Sequence, residues 1–309
     1  MEIKIYADAG SNLFPEIIKE KKLDVTVVPM KLYIRGEEYN CYDKSFDTKK
    51  VSKLFYEEMS GDDDIHTSLI NPNDYLAAFD DDIKKGNKII CLTMAKGISG
   101  TYQSACIARD MINEEKGEEM VYIIDSMTAG LGEGLQAIRL ANEVKKGKDF
   151  KTLIKEAEEF KLKVRSEFTV DDINYLAKTG RVNKVVAKIA NALRIKVLLK
   201  GSEESTIIQT GKVGGRKLAL KKLTNQCIDY IKNPDDQIVY ITHSNCLEDA
   251  IKVRDNLLQE GIKNIEIYDY DLVTGSHIGP RALAIFYVGE DKAFKPILPF
   301  LKKKDKNEE

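Results

Sequence analysis

The chain has no tryptophan, only three histidines, and no run of about 18 apolar residues that could span a membrane. Each shortage removes a class of function. The five cysteines (Cys41, Cys91, Cys106, Cys227 and Cys246) are odd in number and form no CxxC, so a disulfide scaffold or zinc ribbon is not indicated. Reduced, buried thiols in a cytosol fit best. GxxxxGK[ST] and GxGxxG are both absent, which argues against an ATP- or NAD-driven enzyme, and GxSxG is absent too. A formal net charge of −2, with basic residues dispersed among acidic ones, gives no general attraction for nucleic acid. The first residues, MEIKIYADAG, enter a strand directly, with no signal-peptide core.

The most informative stretch is KIICLTMAKGISGTYQSACIARDM, residues 88–111. Ile89, Ile90, Cys91 and Leu92 form a short apolar run of the kind found in a sheet covered on both faces. Ala95, Gly97, Ser99 and Gly100 supply small residues for a sharp turn, and helical spacing begins at Thr101. Such a loop offers free N–H groups and the positive end of a helix dipole to an anion, with Ser99 and Thr101 as hydroxyl donors. The plainer reading makes Ser99 a helix cap.

Along the chain, the alternation of Ile3, Ile5 and Ala7 predicts a strand, followed by a helix over 15–22 and a second strand at 25–29. Met30, Leu32 and Ile34 lead to a turn at 35–37 and predict a hairpin. Helices are expected at 51–59, 73–85, 132–146 and 151–164, with a strand at 121–125. Strand–helix alternation of this kind indicates parallel β-α-β units. Later come short helices at 172–177 and 185–193, and strands at 195–199, 206–208 and 212–213. A helix at 215–232, a strand at 237–242, a helix at 247–260 and strands at 265–268 and 284–288 complete the pattern. The glycine-flanked stretch 275–280 reads as a loop. Ile98, Leu135, Ile138, Ile189, Leu193 and Phe286 are expected to face a shared interface.

Each histidine adjoins a hydroxyl: His66-Thr67, His243-Ser244 and Ser276-His277. No pair has i,i+4 spacing and no carboxylate cluster accompanies them, so a metal site is not expected. His277, between Gly275 and Gly279, is a candidate ligand contact, and Ser99 is a poor candidate nucleophile. Arg181 follows Thr179-Gly180, and Gly214-Gly215-Arg216-Lys217 opens a second anion-friendly helix.

Several stretches together carry a resemblance. SGTYQSA (99–105), IIDSMTAGLGEGL (123–135), NYLAKTGRVNKV (174–185), LRIKVLL (193–199), GGRKLAL (214–220) and GSHIGPRA (275–282) follow in an order that resembles the DegV family. Asp8 with Ser11-Asn12-Leu13 is similar to that family's opening motif, and Thr67-Ser68 to its Thr-Ser loop. The similarity runs from about residue 3 to residue 289. There are departures. Ala95-Lys96 stand where many members have paired serines, Ala9-Gly10 replace a Ser-Thr pair, Leu69-Ile70-Asn71-Pro72 replace a Gln-Pro-Ser run, and Arg281 replaces a glycine.

The resemblance implies a two-domain α/β fold of the DegV type, also called the EDD fold. A parallel sheet with helices on both faces forms the N-terminal domain (1–60 and 80–163), and a second α/β domain spans 61–79 and 164–290. Residues 291–309 form an extension and charged tail. It further implies a cytoplasmic, bacterial lipid-binding protein that is not itself an enzyme. Its ligand is a long-chain fatty acid, and it needs no other cofactor and no metal. Its partner is a separate fatty-acid kinase subunit, with transient membrane-surface contact and no nucleic acid. By position, Thr67, Ser68, Ser99, Gly100 and His277 would hold the fatty-acid carboxylate. Arg181 and Lys178 would stand at the pocket mouth or meet the kinase, with Lys96 and Arg281 as additional head-group candidates. The alternatives are a Ser/His acyl hydrolase using Ser99 and His277, and an interaction protein that carries lipid as structure.

Overall fold

In the computed structural model of the protein, which describes residues 1–42, 47–59, 64–183 and 195–292, the opening strand β1 (Ile3–Asp8) has its last four residues buried. It joins β2 (Val25–Val28), β6 (Lys88–Thr93) and β7 (Val121–Asp125) in a four-stranded, all-parallel sheet of order β2-β1-β6-β7. The apolar run of β6 is buried from Ile89 to Thr93, as a central strand covered on both faces requires. Helices α3 (Pro72–Lys84) and α4 (Thr101–Lys116) pack on each other, as do α5 (Leu131–Lys145) and α6 (Phe150–Phe160), and both pairs contact the sheet. Asn71 starts α3 with a capping box shared with Asp74, ahead of Pro72. Between β2 and α3 lie α2 (Thr48–Glu58) and a three-stranded antiparallel sheet of order β4-β3-β5. Its strands are β3 (Lys31–Ile34), β4 (Glu37–Asn40) and β5 (Ile65–Thr67). The expected hairpin is β3–β4, turning at Arg35 and Gly36, both with positive φ.

The second large sheet has six strands in the order β10-β9-β8-β13-β11-β12. These are β8 (Val164–Thr169), β9 (Ile195–Gly201), β10 (Ile207–Gly214), β11 (Val239–His243), β12 (Ile265–Asp269) and β13 (Leu283–Val288). Only β11 and β12 run parallel. Side chains alternate across this sheet with period two. Leu198, Ile241, Leu283, Ile285 and Tyr287 pack under α8 (Arg216–Tyr230) and α9 (Leu247–Gln259) in one core cluster. Leu199, Phe168, Ala284 and Phe286 point the other way, into the larger core shared with the parallel sheet. The inner face of the second sheet is therefore its seam with the first. Among the described residues, no helix is long and apolar enough to cross a membrane, and all five cysteines are free and buried.

Three expectations are corrected. The helix expected over 151–164 ends at Phe160, and the unforeseen strand β8 begins at Val164. Its sequence, VRSEFT, hides the strand because Arg165 and Glu167 break the apolar pattern. Both are nonetheless buried as an ion pair of 2.9 Å, with Tyr287 donating to Glu167 at 3.3 Å and the guanidinium 4.2 Å from the Tyr230 ring centre. The two strands expected at 206–208 and 212–213 are one strand, β10, whose register shifts between Gln209 and Gly211. The stretch read as a loop at 275–280 is mostly helix: α10 (Leu272–Ile278) starts at Asp271, whose side chain accepts from Thr274 N. Gly275 lies inside that helix because Tyr56 crosses so closely that a Cβ there would collide with its hydroxyl. The helix expected at 185–193 lies outside the described residues.

The Arg165–Glu167 pair yields a test. Arg165→Met leaves a buried carboxylate without its cation and is expected to lower stability by about 3–5 kcal/mol, while adding Glu167→Leu should recover most of that loss. Urea denaturation measures both, and a double variant as unstable as the single one would refute the electrostatic account.

Candidate functional site

The loops leaving the C-terminal ends of β6 and β7 meet the second sheet, and between them lies a cavity of about 220 Å³. Small residues permit that meeting. Gly97 donates its N–H to Ser205 O at 3.1 Å, and a Cβ at Gly97 would collide with that oxygen. Apolar groups from both sides line the cavity, among them Met30, Met94, Ile98, Met127, Phe168 and Phe286. Of the residues expected at the interface, Ile98 and Phe286 do line it. Leu135 and Ile138 instead border a separate open groove with Tyr240 and Val288, because the opposite, buried face of α5, with Gly134, Ala137 and Ala141, packs against the parallel sheet. Ile189 and Leu193 lie outside the described residues.

The polar lining gathers five of the anticipated residues with Arg181. Thr67, Ser68, Ser99, Gly100, Arg181 and His277 all border the cavity. Thr67 Oγ1 and His277 Nε2 are 2.9 Å apart and share a hydrogen bond, joining the end of β5 to the last turn of α10. Ser99 Oγ accepts from Thr101 N at 3.2 Å and lies 2.8 Å from Thr101 Oγ1. The N-cap position of α4 is Gly100, so Ser99 precedes the cap and satisfies a first-turn N–H from outside it. Arg181 donates from Nε to Ile98 O at 3.1 Å and from an Nη to Thr179 O at 2.6 Å, holding its guanidinium on the cavity wall. Burial, and secondarily the charge of Arg181, pushes His277 down to about 3, so its imidazole is neutral at physiological pH. Burial also lowers Arg181 from its ordinary value.

The remaining candidates stand apart. Lys178 is exposed on α7 (Asn174–Lys178) and does not border the cavity. Lys96 is exposed, with Nζ 3.8 Å from Asp125. Arg281 lies 3.8 Å from Asp171 and 3.5 Å from Asp249. Its φ of 62° is left-handed, a conformation that favours glycine over a residue with a side chain. The three histidines do not converge. His66 is exposed and stacks on Tyr33, with ring centres 5.0 Å apart, while His243 is buried in β11. Among the described residues, no group of His, Cys, Asp and Glu is arranged to hold a metal.

Of the polar lining residues, Thr128, Ser166, Thr206, Tyr270 and Thr274 escaped the sequence reading. Thr274 borders the cavity one helical turn before His277, and its Oγ1 is buried without a hydrogen-bond partner, as is His277 Nδ1. Recognising 272–278 as a helix would have paired these residues by their i,i+3 spacing.

A buried acidic seam supports α10. Asp8 accepts from Gly10 N at 2.8 Å and Met94 N at 2.8 Å, and donates its own N–H to Glu133 at 3.1 Å. Burial raises Asp8 to about 6 and Asp271 to about 7, and raises Glu133 as well. A folded-state value above the unfolded one means that the folded protein holds the proton more tightly. The Asp271 contribution is therefore fully present below about pH 4 and is lost as pH rises through about 7. Asp271→Asn, which keeps an oxygen for Thr274 N, should gain on the parent by a few kcal/mol between pH 4.5 and pH 8. Urea melts across that range measure the gap, and a pH-independent difference would contradict a raised Asp271.

Comparison with known proteins places this geometry. The family model described as "Uncharacterised protein, DegV family" matches residues 2–290. A DegV domain-containing protein of Clostridium perfringens is 31% identical over 289 residues, covering 93% of this chain and 98% of its own. A DegV family protein from Eubacterium eligens, solved loaded with heptadecanoic acid, aligns with a TM-score of 0.79 at 24% identity, over 93% of this chain and 100% of that one. The Streptococcus pneumoniae Fatty Acid Kinase (Fak) B3 protein, loaded with linoleic acid, aligns with a TM-score of 0.78 at 19% identity, over 94% of this chain and 100% of that one. On its sequence match and its two-sheet α/β architecture, this chain belongs to the DegV family.

Proposed function

We propose that this protein binds one long-chain fatty acid in the cavity between its two large sheets and presents the carboxylate to a separate kinase subunit for acyl-phosphate formation. The observation that carries this reading is the asymmetry of the cavity. Apolar side chains from both sheets surround it, while hydroxyls, an imidazole, a guanidinium and the start of α4 cluster in its polar lining. Burying about fourteen methylenes at about 0.8 kcal/mol each gives roughly 11 kcal/mol before ordering costs, so the tail supplies the affinity. Thr67, Ser68, Ser99, the Gly100 N–H and His277 fix which end faces outward, as an in-line phosphoryl transfer requires. Fatty acids in the solved relatives support the ligand class, and the Fak B3 likeness supports a kinase partner.

The hydrolase alternative is the weaker reading. His277 Nε2 is engaged with Thr67, its Nδ1 has no hydrogen-bond partner, and Ser99 is bonded to Thr101. A serine hydrolase needs the imidazole between its nucleophile and an orienting acid.

Native mass spectrometry of the purified protein, with extraction and identification of the ligand, is the direct test. One fatty acid per chain that exchanges with added fatty acid is expected, and no retained and no added fatty acid binding would overturn the proposal. Thr67→Ala, Ser99→Ala and His277→Ala should each weaken binding roughly tenfold to a hundredfold without abolishing it. The methyl ester should bind the parent protein more weakly than the acid. Equal affinity for the two would remove the carboxylate site. Arg181→Ala should lower kinase-dependent acyl-phosphate formation far more than it lowers affinity, and equal losses would reassign Arg181 to the pocket alone.

A further inference from the structure

The family match ends at residue 290, and the chain continues as DKAFKPILPFLKKKDKNEE. Phe294, Ile297, Leu298, Phe300 and Leu301 make this continuation strongly apolar before its charged end, and Pro296 and Pro299 disfavour a helix there. Residues 293–309 lie outside the described residues, but the structure fixes where they depart. Gly289 N donates to Lys163 O, Glu290 N to Tyr230 O and Lys292 N to Leu162 O, each at 2.9 Å. Lys292 is buried, and its Nζ donates to Met127 O at 3.0 Å. A buried ammonium is costly, and here it pins the chain at its point of departure.

That point adjoins the open groove bordered by Leu135 and Ile138, about 590 Å³ in volume. Phe160, two residues before Leu162, and Lys232, two residues after Tyr230, both border it. The Cα atoms of each such pair lie at most about 7.6 Å apart. Half-buried Leu135 and Ile138 on α5 face this groove with half-buried Ile238 and Val288, which flank β11 and end β13, and with buried Phe160 and Tyr240. Since α5 packs on the parallel sheet and β11 and β13 belong to the second, the groove runs along the seam of the two. Among the described residues, it shares no lining residue with the cavity that holds Thr67 and His277.

We propose that residues 293–301 dock in this groove as a strap, laying their apolar side chains on Leu135, Ile138, Ile238 and Val288 and so tying α5 to the second sheet. The length suffices. From Leu135 to Lys146 the groove follows α5 for about 17 Å, and nine residues reach about 30 Å when extended. The occupant is a segment of this chain because its first residue starts at the groove's edge, which makes docking intramolecular and its effective concentration high. Each apolar surface then covers the other, where either alone would leave an exposed patch. The strap stands independently of the fatty-acid reading.

The test uses the full chain. It has no tryptophan, so Phe300→Trp places a single indole in the segment. Its emission should be blue-shifted and its quenching by acrylamide severalfold weaker than that of free tryptophan, and adding Ile138→Glu should abolish the protection while a thermal melt shows the chain still folded. A second measurement leaves the core untouched. All five native cysteines are buried, and Asn142 is exposed at the groove's rim. Asn142→Cys is combined in turn with Lys295→Cys and Lys302→Cys, which bracket the apolar stretch. One of these pairs should form an intramolecular disulfide about tenfold faster than the same tail cysteine does with Ile107→Cys, at an exposed position on α4 away from the groove. Equal rates, or an indole as accessible as free tryptophan, would overturn the proposal. Protection that appears only with phosphatidylglycerol vesicles would assign the segment to a lipid surface, and protection that grows with protein concentration would assign it to a second copy; either would overturn the strap.

Discussion

The Asp8 carboxylate is the point on which the rest of the structure turns. It sits fully buried at the C-terminal end of β1 and gathers the N–H groups of Gly10 and Met94, which belong to the loops leaving two neighbouring strands. In open α/β sheets the carboxyl ends of the strands form the natural ligand crevice, and this carboxylate fixes the shape of that edge. Asn12, two residues past Gly10 and itself at φ 60°, donates to Asp269 O at 2.9 Å and accepts from Asp271 N at 2.7 Å. The edge of the first sheet thereby sets where α10 begins. Since α10 carries Thr274 and His277, that part of the cavity's polar lining inherits its position from Asp8, Asn12 and Asp271, none of which borders the cavity.

The second sheet divides its labour by face. Its outer side chains are sealed by α8 and α9 in an ordinary apolar core, whereas its inner side chains are shared between the seam with the first sheet and the cavity. Strand β8 shows both in four residues. Arg165 and Glu167 turn outward and neutralise each other, while Ser166 and Phe168 turn inward to the cavity. A strand committed to a cavity on one side cannot rely on packing there, so firm fixation on its other side is physically reasonable. The buried ion pair serves that purpose at the desolvation cost expected of such pairs.

How much of this was legible in the sequence depended on whether the determining interaction was local. The β6–α4 unit was readable because an apolar run, small turn residues and a change of period all lie within about twenty residues. Strand β8 was not, because its charged residues become strand-compatible only when paired in three dimensions with each other and with Tyr287. Helix α10 was hidden by Gly275, whose role is to admit Tyr56 from more than two hundred positions away in sequence. Ser99 and His277 were candidates from their own loop contexts, Thr67, Ser68, Gly100 and Arg181 gained their site role through resemblance, and all six border one cavity, but Thr274 was not foreseen.

Orientation and length are separable demands on a site that takes a long apolar ligand. Hydrophobic burial is non-directional, so it holds a chain tightly without deciding which end leads or where the other end stops. Directional groups have to decide both. Here the Thr67–His277 and Ser99–Thr101 hydrogen bonds are the directional groups of the cavity's polar lining. Ser99 and Met127 both lie on loops from the carboxyl ends of adjacent parallel strands, β6 and β7. These loops are bonded to each other, since Ala95 N donates to Thr128 O at 2.7 Å and Lys96 N to Asp125 at 3.2 Å. A displacement of one loop is therefore transmitted to the other, so the relative positions of the Ser99 and Met127 loops are held by hydrogen bonds between them as well as by the pairing of β6 with β7.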